Sequence, residues 1–497
     1  MAGGSGTHTV RANRASSSSP PRFQAFILIL SVLTATSGCV YFNALYNANR
    51  LYSQGVKEID ADRESNGRVL LLESIEKAER IVQTKPDSRW ADDAVRLMVR
   101  ARILRDDWPE AAQAGQLLMR YATTERDSAE AARYWGEAEL NLGNMKAADS
   151  LLTFALEGEE GEEARAELLA YRGRARFGLG NLDAAEADLE RVTQLRPEWV
   201  PPRIDLVRLL VHDGRGSEAA AELAYVFTLP LRDREERSSV VAAEYMAEQD
   251  SAATIEALAE VTASTLQPGN QARLLKMRAD LELALGDSEG ARRDYELTTL
   301  LYPDAGPAAA AALVLVRLDL RDVSTIAGFD SLAMRAGRLA AQPSGQRISE
   351  VRQLDDTFFR MQFWLSNGGL GFLLAAETAR DELDAPHLAR TLLVAYADSE
   401  PDALWVPKAI LAALDLSPLD SGGRVAGAAE PSDEELRRRL LEDYQDSAYV
   451  RALFGEEGGQ FTYEELELGL QRQLQRLEVV ADQELRNRPP RMQQSGG

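Results

Sequence analysis

Few residues in this chain have side chains suited to chemistry. Cys39 is the only cysteine among 497 residues, so an internal disulfide is excluded. Beyond it the only histidines are His212 and His387, which are far apart and have no cysteine or histidine nearby, so no zinc site is expected. No phosphate-binding lysine motif is present, and the G-x-S-x-G match at Gly286–Gly290 belongs to a recurring helical turn, without the preceding strand that a nucleophile elbow requires. The sequence therefore predicts no catalytic residue, no metal site, no cofactor and no enzymatic activity.

The residues before Cys39 follow the order of an export signal. An arginine-bearing lead without acidic residues precedes the apolar run Phe26–Leu33, and the small residues Thr34–Gly38 follow. This order is typical of a signal peptide, and the apolar run is too short to span a bilayer. With cysteine directly after Gly38, the segment resembles a bacterial lipoprotein signal. The resemblance implies cleavage before Cys39 and lipid attachment to it. The alternative is an ordinary signal peptide in which Cys39 is incidental.

Lipid attachment at Cys39 would determine where the protein acts. Each buried methylene contributes about 0.8 kcal/mol, so two or three acyl chains hold a protein on a membrane essentially permanently. Val40 follows Cys39, whereas lipoproteins retained on the inner membrane usually carry Asp at that position. The resemblance therefore implies a lipid anchor in the outer membrane, with the protein facing the periplasm.

The composition excludes some classes of partner. The formal net charge is −23, and no basic stripe offsets it, so the chain repels phosphate backbones and no nucleic-acid binding is expected. Aromatic residues make up only 7% of the chain, and Ala, Leu, Glu and Arg dominate. That composition favours long amphipathic helices over sheets. No small-molecule substrate is expected either.

A turn followed by a helix recurs along the chain. The turns stand at Asp106, Gly143, Gly180, Gly214 and Gly286, and an alanine follows each of them five residues later. The first three are 37 residues apart, and the fourth comes 34 residues after the third. Small residues such as Gly173 stand seven positions before three of the turns, and prolines such as Pro197 follow two of them after seventeen. The small residues let two helices cross closely, and proline ends the second helix.

This pattern resembles the tetratricopeptide repeat, a helix–turn–helix unit of about 34 residues. It predicts an all-α fold, a tetratricopeptide-like helical-hairpin solenoid behind a lipoprotein signal peptide. The predicted segments are the signal peptide at 1–38, an anchor and capping helix at 39–66, the repeat array at 67–320, degenerate helical repeats at 321–415, a flexible linker at 416–431, C-terminal helices at 432–487 and a disordered tail at 488–497.

Two of the C-terminal helices have sequence signals for where they begin. Capping boxes start at Ser432 and Thr462, each with an acidic residue three positions later. The second helix carries an apolar stripe from Leu466 to Val480. The stripe predicts that this helix docks on the solenoid, and the alternative is that it pairs with a partner helix.

Arginine recurs in the predicted first helices of the repeats. The candidate partner-binding residues are Arg96, Arg100, Arg172, Arg176, Arg203, Arg208, Arg273 and Arg278. In a solenoid the first helices line the concave face, so these arginines would form a groove for carboxylates or an acidic protein segment. The alternative is that they pair with acids on neighbouring helices.

A further motif leads several helices. Lys85–Ala94 and Tyr444–Ala452 contain Asp-Ser followed by an aromatic residue and alanine, and Tyr396–Ala409 is a looser version. In a chain whose cysteine lies just ahead of the first helix, the motif is similar to that of the BamD (YfiO) family, the tetratricopeptide lipoproteins of the outer-membrane β-barrel assembly machinery. The resemblance implies a scaffold whose partners are envelope proteins or peptide segments. The Tol–Pal coordinator family shares the motif, so a Tol–Pal or peptidoglycan-linked coordinator is the alternative.

An envelope enzyme is the alternative from another class. Its site would lie in 320–415, where the repeat signal is weakest. An aromatic cluster stands there: Phe358, Phe359, Phe363 and Trp364. Because polar residues alternate with these aromatics along a helix, core packing explains the cluster more simply.

Overall fold

A computed structural model describes residues 43–159, 161–416, 431–456 and 461–489. Within these ranges the chain is helical and has no strand, so the predicted all-α fold is confirmed. The predicted signal peptide, Cys39 and the greater part of the predicted linker lie outside the described residues. Of the helices in these ranges, none has both the length and the apolar character needed to cross a membrane.

The described chain forms two compact units, the first ending at Asp213 and the second beginning at Gly214. The first unit consists of α1 (43–60), α2 (Glu64–Thr84), α3 (Ala91–Leu104), α4 (Trp108–Tyr121), α5 (Glu125–Asn141), α6 (Met145–Glu157), α7 (Glu162–Gly178), α8 (Leu182–Leu195) and α9 (Val200–His212). The boundary between the units falls inside the predicted repeat array at 67–320.

The second unit contains a longer series of helices. They are α10 (Gly216–Thr228), α11 (Asp233–Gln249), α12 (Ser251–Ala257), α13 (Pro268–Ala284), α14 (Ser288–Leu301), α15 (Gly306–Asp322), α16 (Ile326–Ala341), α17 (Pro343–Gln346), α18 (Ser349–Asn367), α19 (Gly371–Asp381), α20 (Pro386–Ser399), α21 (Val406–Asp415), α22 (Asp433–Asp443), α23 (Ala448–Leu453) and α24 (Tyr463–Asn487). A short 3-10 turn, Val261–Ala263, lies between α12 and α13.

Tight turns join the helices into hairpins. The turns between α5 and α6 and between α7 and α8 place Gly143 at φ +81° and Gly180 at φ +76°. Asp106 takes the same left-handed backbone between α3 and α4, at φ +60°. Only Gly, Asn and Asp visit this conformation routinely, which explains why the recurring turns carry Gly or Asp.

Small residues allow the two helices of a hairpin to cross closely, as the sequence predicted. A Cβ atom added at Gly173 would lie 2.9 Å from Leu189 Cγ, and the same distance separates a Cβ at Gly136 from Leu152 Cγ. Ala185, five residues after the turn, is completely buried. Leucine from the second helix therefore fills the space that glycine leaves on the first.

The last helix docks on the second unit through the first part of its predicted apolar stripe, whereas Val480 at the end of that stripe is 46% exposed. Leu466, Leu470 and Leu474 are buried, and α24 contacts α18, α19 and α23. Thr462 begins this helix with a reciprocal capping box: its hydroxyl accepts from the Glu465 amide at 3.2 Å, and its own amide donates to the Glu465 carboxylate at 3.0 Å. At Ser432 one of the two hydrogen bonds of the predicted capping box is present: the Ser432 hydroxyl accepts from the Glu435 amide at 3.1 Å.

The aromatic cluster of α18 belongs to the core of the second unit. Phe358 and Trp364 are almost completely buried, and Phe358 packs edge-to-face on Phe329 with ring centres 5.3 Å apart. Phe363 packs against the same core. These contacts agree with the core-packing interpretation of the cluster.

Candidate protein-binding face

The first helices of successive hairpins lie side by side in the first unit. Contacts join α3 to α5, α5 to α7, and α7 to α9. We call the surface that these four helices share the first-helix face. Successive turns of this unit, at Asp106, Gly143 and Gly180, are 37 residues apart, so each first helix lies beside the equivalent helix of the next hairpin.

Polar pairs link these helices across the face. Arg96 Nε donates to Glu130 Oε2 at 2.8 Å, between α3 and α5. The Tyr171 hydroxyl donates to Glu137 Oε1 at 2.9 Å, between α7 and α5. Arg133 pairs with Glu167 between the same two helices. The members of each pair are 34 residues apart, three fewer than the 37 residues between successive turns of this unit.

Two arginines at the α7–α9 end of the face retain donors for a ligand. Arg174 Nε lies 3.6 Å from Asp205 Oδ2, and Arg208 Nη1 lies 3.7 Å from Asp205 Oδ1. Both distances exceed that of a hydrogen bond. The side chains of Arg174 and Arg208 are 44% and 41% exposed. Their guanidinium groups can therefore donate to a carboxylate that enters the face.

A third arginine lies at the other end of the face. The Arg100 guanidinium carbon is 4.9 Å from the centre of the Tyr52 ring, a cation–π distance. Arg100 is exposed, and within the described ranges no carboxylate lies at ion-pair distance from it. Arg100 is thus an exposed residue that is positioned on an aromatic ring.

Burial changes the ionisation of the carboxyl groups on this face. Burial raises the pKa of Glu137, although the hydrogen bond from Tyr171 acts in the opposite direction. Burial likewise raises the pKa of Asp205 against the attraction of Arg174 and Arg208. The negative charges of Glu137 and Asp205 are therefore disfavoured, whereas arginine stays charged at any physiological pH.

Some of the predicted arginines lie inside the array instead. Arg172 Nη2 pairs with Asp188 Oδ1 at 2.6 Å, and Arg176 Nη1 lies 2.8 Å from Asp188 Oδ2. Arg176 Nε also contacts Asp149 Oδ1 at 3.0 Å. These bonds join α7 to α8 and α6. Arg172 and Arg176 therefore pair with acidic residues on neighbouring helices, which was the alternative that the sequence left open.

The remaining predicted arginines have different surroundings. In the second unit Arg278 repeats the pairing of Arg172, with Asp294 Oδ1 at 2.7 Å, and Arg273 pairs with Glu244. In the first unit Arg203 is buried and donates to the Pro197 carbonyl at 2.7 Å. Of the predicted arginines, Arg96, Arg100 and Arg208 lie on the first-helix face. A role in partner binding stays a prediction for every member of the set.

Sequence reasoning missed several residues of this face. They are Glu130, Arg133, Glu137, Glu167, Tyr171 and Asp205. A signal for three pairs was present in the sequence, because opposite charges or a tyrosine and a carboxylate recur at a constant interval of 34 residues. The ranges that the structure describes hold no cluster of three His, Cys, Asp or Glu residues able to bind a metal ion.

Comparison with known proteins gives only distant likenesses. No family model matches the chain, and no curated protein matches it in sequence. A tetratricopeptide repeat protein from Parabacteroides merdae ATCC 43184 is 15% identical over 54% of this chain and 98% of its own, with a TM-score of 0.34. TTC0263, a thermophilic TPR protein of Thermus thermophilus, is 21% identical over 39% of this chain and 98% of its own, with a TM-score of 0.32. A Rap protein complexed with competence and sporulation factor is 13% identical over 81% of this chain and 99% of its own, with a TM-score of 0.29.

The chain's own helical hairpins define its class. The chain is a tetratricopeptide-like helical-hairpin solenoid. Its turns carry residues with left-handed backbone, small residues lie where helices cross, and the first helices of successive hairpins are in contact. This architecture is typical of protein–protein interaction scaffolds.

Proposed function

We propose that the protein is a non-enzymatic scaffold that binds an acidic segment of a partner protein on its first-helix face. One observation carries the proposal: Arg100, Arg174 and Arg208 are exposed on this face and are not satisfied by hydrogen-bonded carboxylates of the described chain. Charge-assisted hydrogen bonds from arginine to carboxylate are among the strongest polar contacts in proteins. An extended or helical acidic segment would replace the water on these three groups.

We further propose that lipid at Cys39 anchors this scaffold to the outer membrane, on the periplasmic face. The order of basic, apolar and small residues before Cys39 supports the anchor, and Val40 supports the outer membrane. The helix-leading motif near Lys85 supports a BamD-like part in outer-membrane protein assembly. The partners are then envelope proteins or their peptide segments.

Purification of the tagged, membrane-extracted lipoprotein tests this proposal, with co-purifying envelope proteins identified by mass spectrometry. The test compares the wild type with Arg174→Gln and Arg208→Gln. Each variant removes a charge-assisted contact of about 1.5–3 kcal/mol, so recovery of the partner should fall by roughly tenfold or more. Arg191→Gln is the matched control, because Arg191 is exposed on the second helix α8 and bonds only locally, to Gln194.

The outcomes separate the proposal from its rivals. A barrel-assembly pore protein that is recovered by the wild type and Arg191→Gln, but lost by Arg174→Gln, supports the BamD-like role. Recovery of Tol–Pal or wall-synthesis proteins would replace that role with an envelope coordinator while keeping the scaffold. If the three variants and the wild type recover a partner equally, the first-helix face is not the binding surface.

A further inference from the structure

The helix α24 lies in a groove formed by other helices of the second unit. It contacts α18, α19 and α23, and its first turns also bond to α21. These four helices, α18, α19, α21 and α23, form the surface on which α24 lies. We call this surface the α24 groove.

An apolar stripe with a four-residue spacing fills the groove. Leu466, Leu470 and Leu474 are buried in the core of the second unit, and Ala481 continues the stripe two turns later. Leu470 borders the same small cavity as side chains of α19 and α21, among them Leu373. The opposite side of α24 faces solvent: Leu468 is 53% exposed.

Polar contacts fix the position of α24 at both ends. Glu467 accepts from Lys408 Nζ at 2.7 Å and from the Tyr449 hydroxyl at 2.9 Å. At the far end Arg488 Nη1 pairs with Asp355 Oδ2 at 3.0 Å. The Trp405 indole N–H donates to the Leu466 carbonyl at 3.2 Å. The groove therefore specifies both an apolar spacing and the position of one carboxylate.

These contacts are those of a helix bound in a groove, a recurring mode of peptide recognition. We propose that the α24 groove is a second binding surface, which accepts an amphipathic helix of a partner protein in place of α24. The partner helix carries apolar residues four positions apart and a carboxylate directly after the first of them, as α24 does at Leu466, Glu467 and Leu470. This surface is separate from the first-helix face, and either proposal can fail without the other.

Displacement requires that α24 open while the rest of the unit stays folded. Hydrogen exchange of the wild-type protein tests this directly, and we expect amides of α24 to exchange at least about tenfold faster than those of α19 and α20, through local opening. Equal protection of α24 and of α19 would overturn the proposal, because α24 would then leave only when the unit unfolds.

Binding of a peptide tests the groove itself. The probe is a synthetic peptide with the sequence 462–488 of this chain, and the acceptor is the full chain with Leu470→Asp and Leu474→Asp, which releases α24. In the wild type only the molecules whose groove is free of α24 can bind the peptide, so the apparent affinity is reduced in proportion to their fraction. We therefore expect the variant to bind the peptide at least about tenfold more tightly than the wild type. Leu468→Asp is the matched control, since it places the same charge on the exposed side of α24 and should bind like the wild type.

Three results would contradict the proposal. The first is equal binding by the wild type and the double variant. The second is equal binding of a peptide that itself carries Leu470→Asp. The third is loss of the folded second unit in the double variant, seen as a lost melting transition, because α24 would then be an indispensable part of the core.

Discussion

At the scale of single residues, position in the repeat decides what an arginine does. Arg172 and Arg174 are two residues apart on α7, yet Arg172 is held by Asp188 inside the hairpin while Arg174 lies on the first-helix face. Side chains of a helix change direction by about 100° per residue, so neighbours in sequence meet different surroundings. A count of arginines in the first helices therefore overstates the number available to a partner.

The carboxyl group of Glu137 provides a test at this scale. Its pKa is raised by burial, so the folded state holds its proton more tightly than the unfolded state, and stability is lost as the pH rises. Glu137→Gln should therefore raise the melting temperature at neutral pH, because Gln keeps an acceptor for the Tyr171 hydroxyl without a charge. The gain should shrink below about pH 4.3, where glutamate is protonated in both states.

Thermal melting at a series of pH values measures this effect. Glu130→Gln is the comparison, since it removes a charge from the same face but weakens the charge-assisted 2.8 Å bond from Arg96. We expect Glu130→Gln to give no gain at neutral pH. The raised pKa of Glu137 would be contradicted if the melting temperature of Glu137→Gln, relative to that of the wild type, were lower at neutral pH than at acidic pH.

At the scale of the element, the α7/α8 hairpin depends on two glycines with different tasks. Gly173 provides space for Leu189, whereas Gly180 provides a left-handed backbone with no atom near its missing side chain. The two positions therefore respond to different substitutions. Space is lost with any added side chain, but the turn tolerates the residues that adopt a positive φ.

Substitutions at these glycines separate the two tasks. Gly180→Ala should cost about 1–2 kcal/mol for its left-handed conformation, and Gly180→Asn should cost less, because asparagine adopts that conformation more readily. Gly173→Val should cost about 1–3 kcal/mol by overpacking against Leu189. Chemical unfolding checks these values. Equal losses for Gly180→Ala and Gly180→Asn would contradict the backbone explanation.

At the scale of the whole molecule, the proposed function needs both a binding face and a location. The face belongs to the folded repeats, and the location depends on one residue outside the described ranges, Cys39. A lipid anchor confines the scaffold to a surface, which raises its effective concentration toward partners held on the same membrane.

Substitution of Cys39 tests the anchor. The wild type should fractionate with membranes and require detergent for release, because acyl chains of the proposed anchor bury many methylenes. Cys39→Ala should leave the membrane fraction or keep its uncleaved signal, and its fold should be unchanged. Intact-mass analysis of the purified wild type checks for lipid directly, and a mature protein with an unmodified Cys39 would remove the anchor from the proposal.

The sequence by itself determined the class of fold, because its signals are local. A glycine that must adopt a positive φ, an alanine where helices cross and a proline that ends a helix each act within one hairpin, so their spacing predicts the repeat. The stripe of α24 is equally local, and it predicted docking but not the helices that receive it.

Only the tertiary structure decided which residues form the first-helix face. The pairs Arg96–Glu130 and Tyr171–Glu137 join helices of different repeats, and their formation depends on how successive hairpins stack. Packing within the hairpin pairs Arg172 with Asp188, whereas Arg174 lies on the first-helix face near Asp205 of the next repeat. Contacts between repeats depend on helix packing angles and side-chain directions, which the spacing of residues along one helix does not specify.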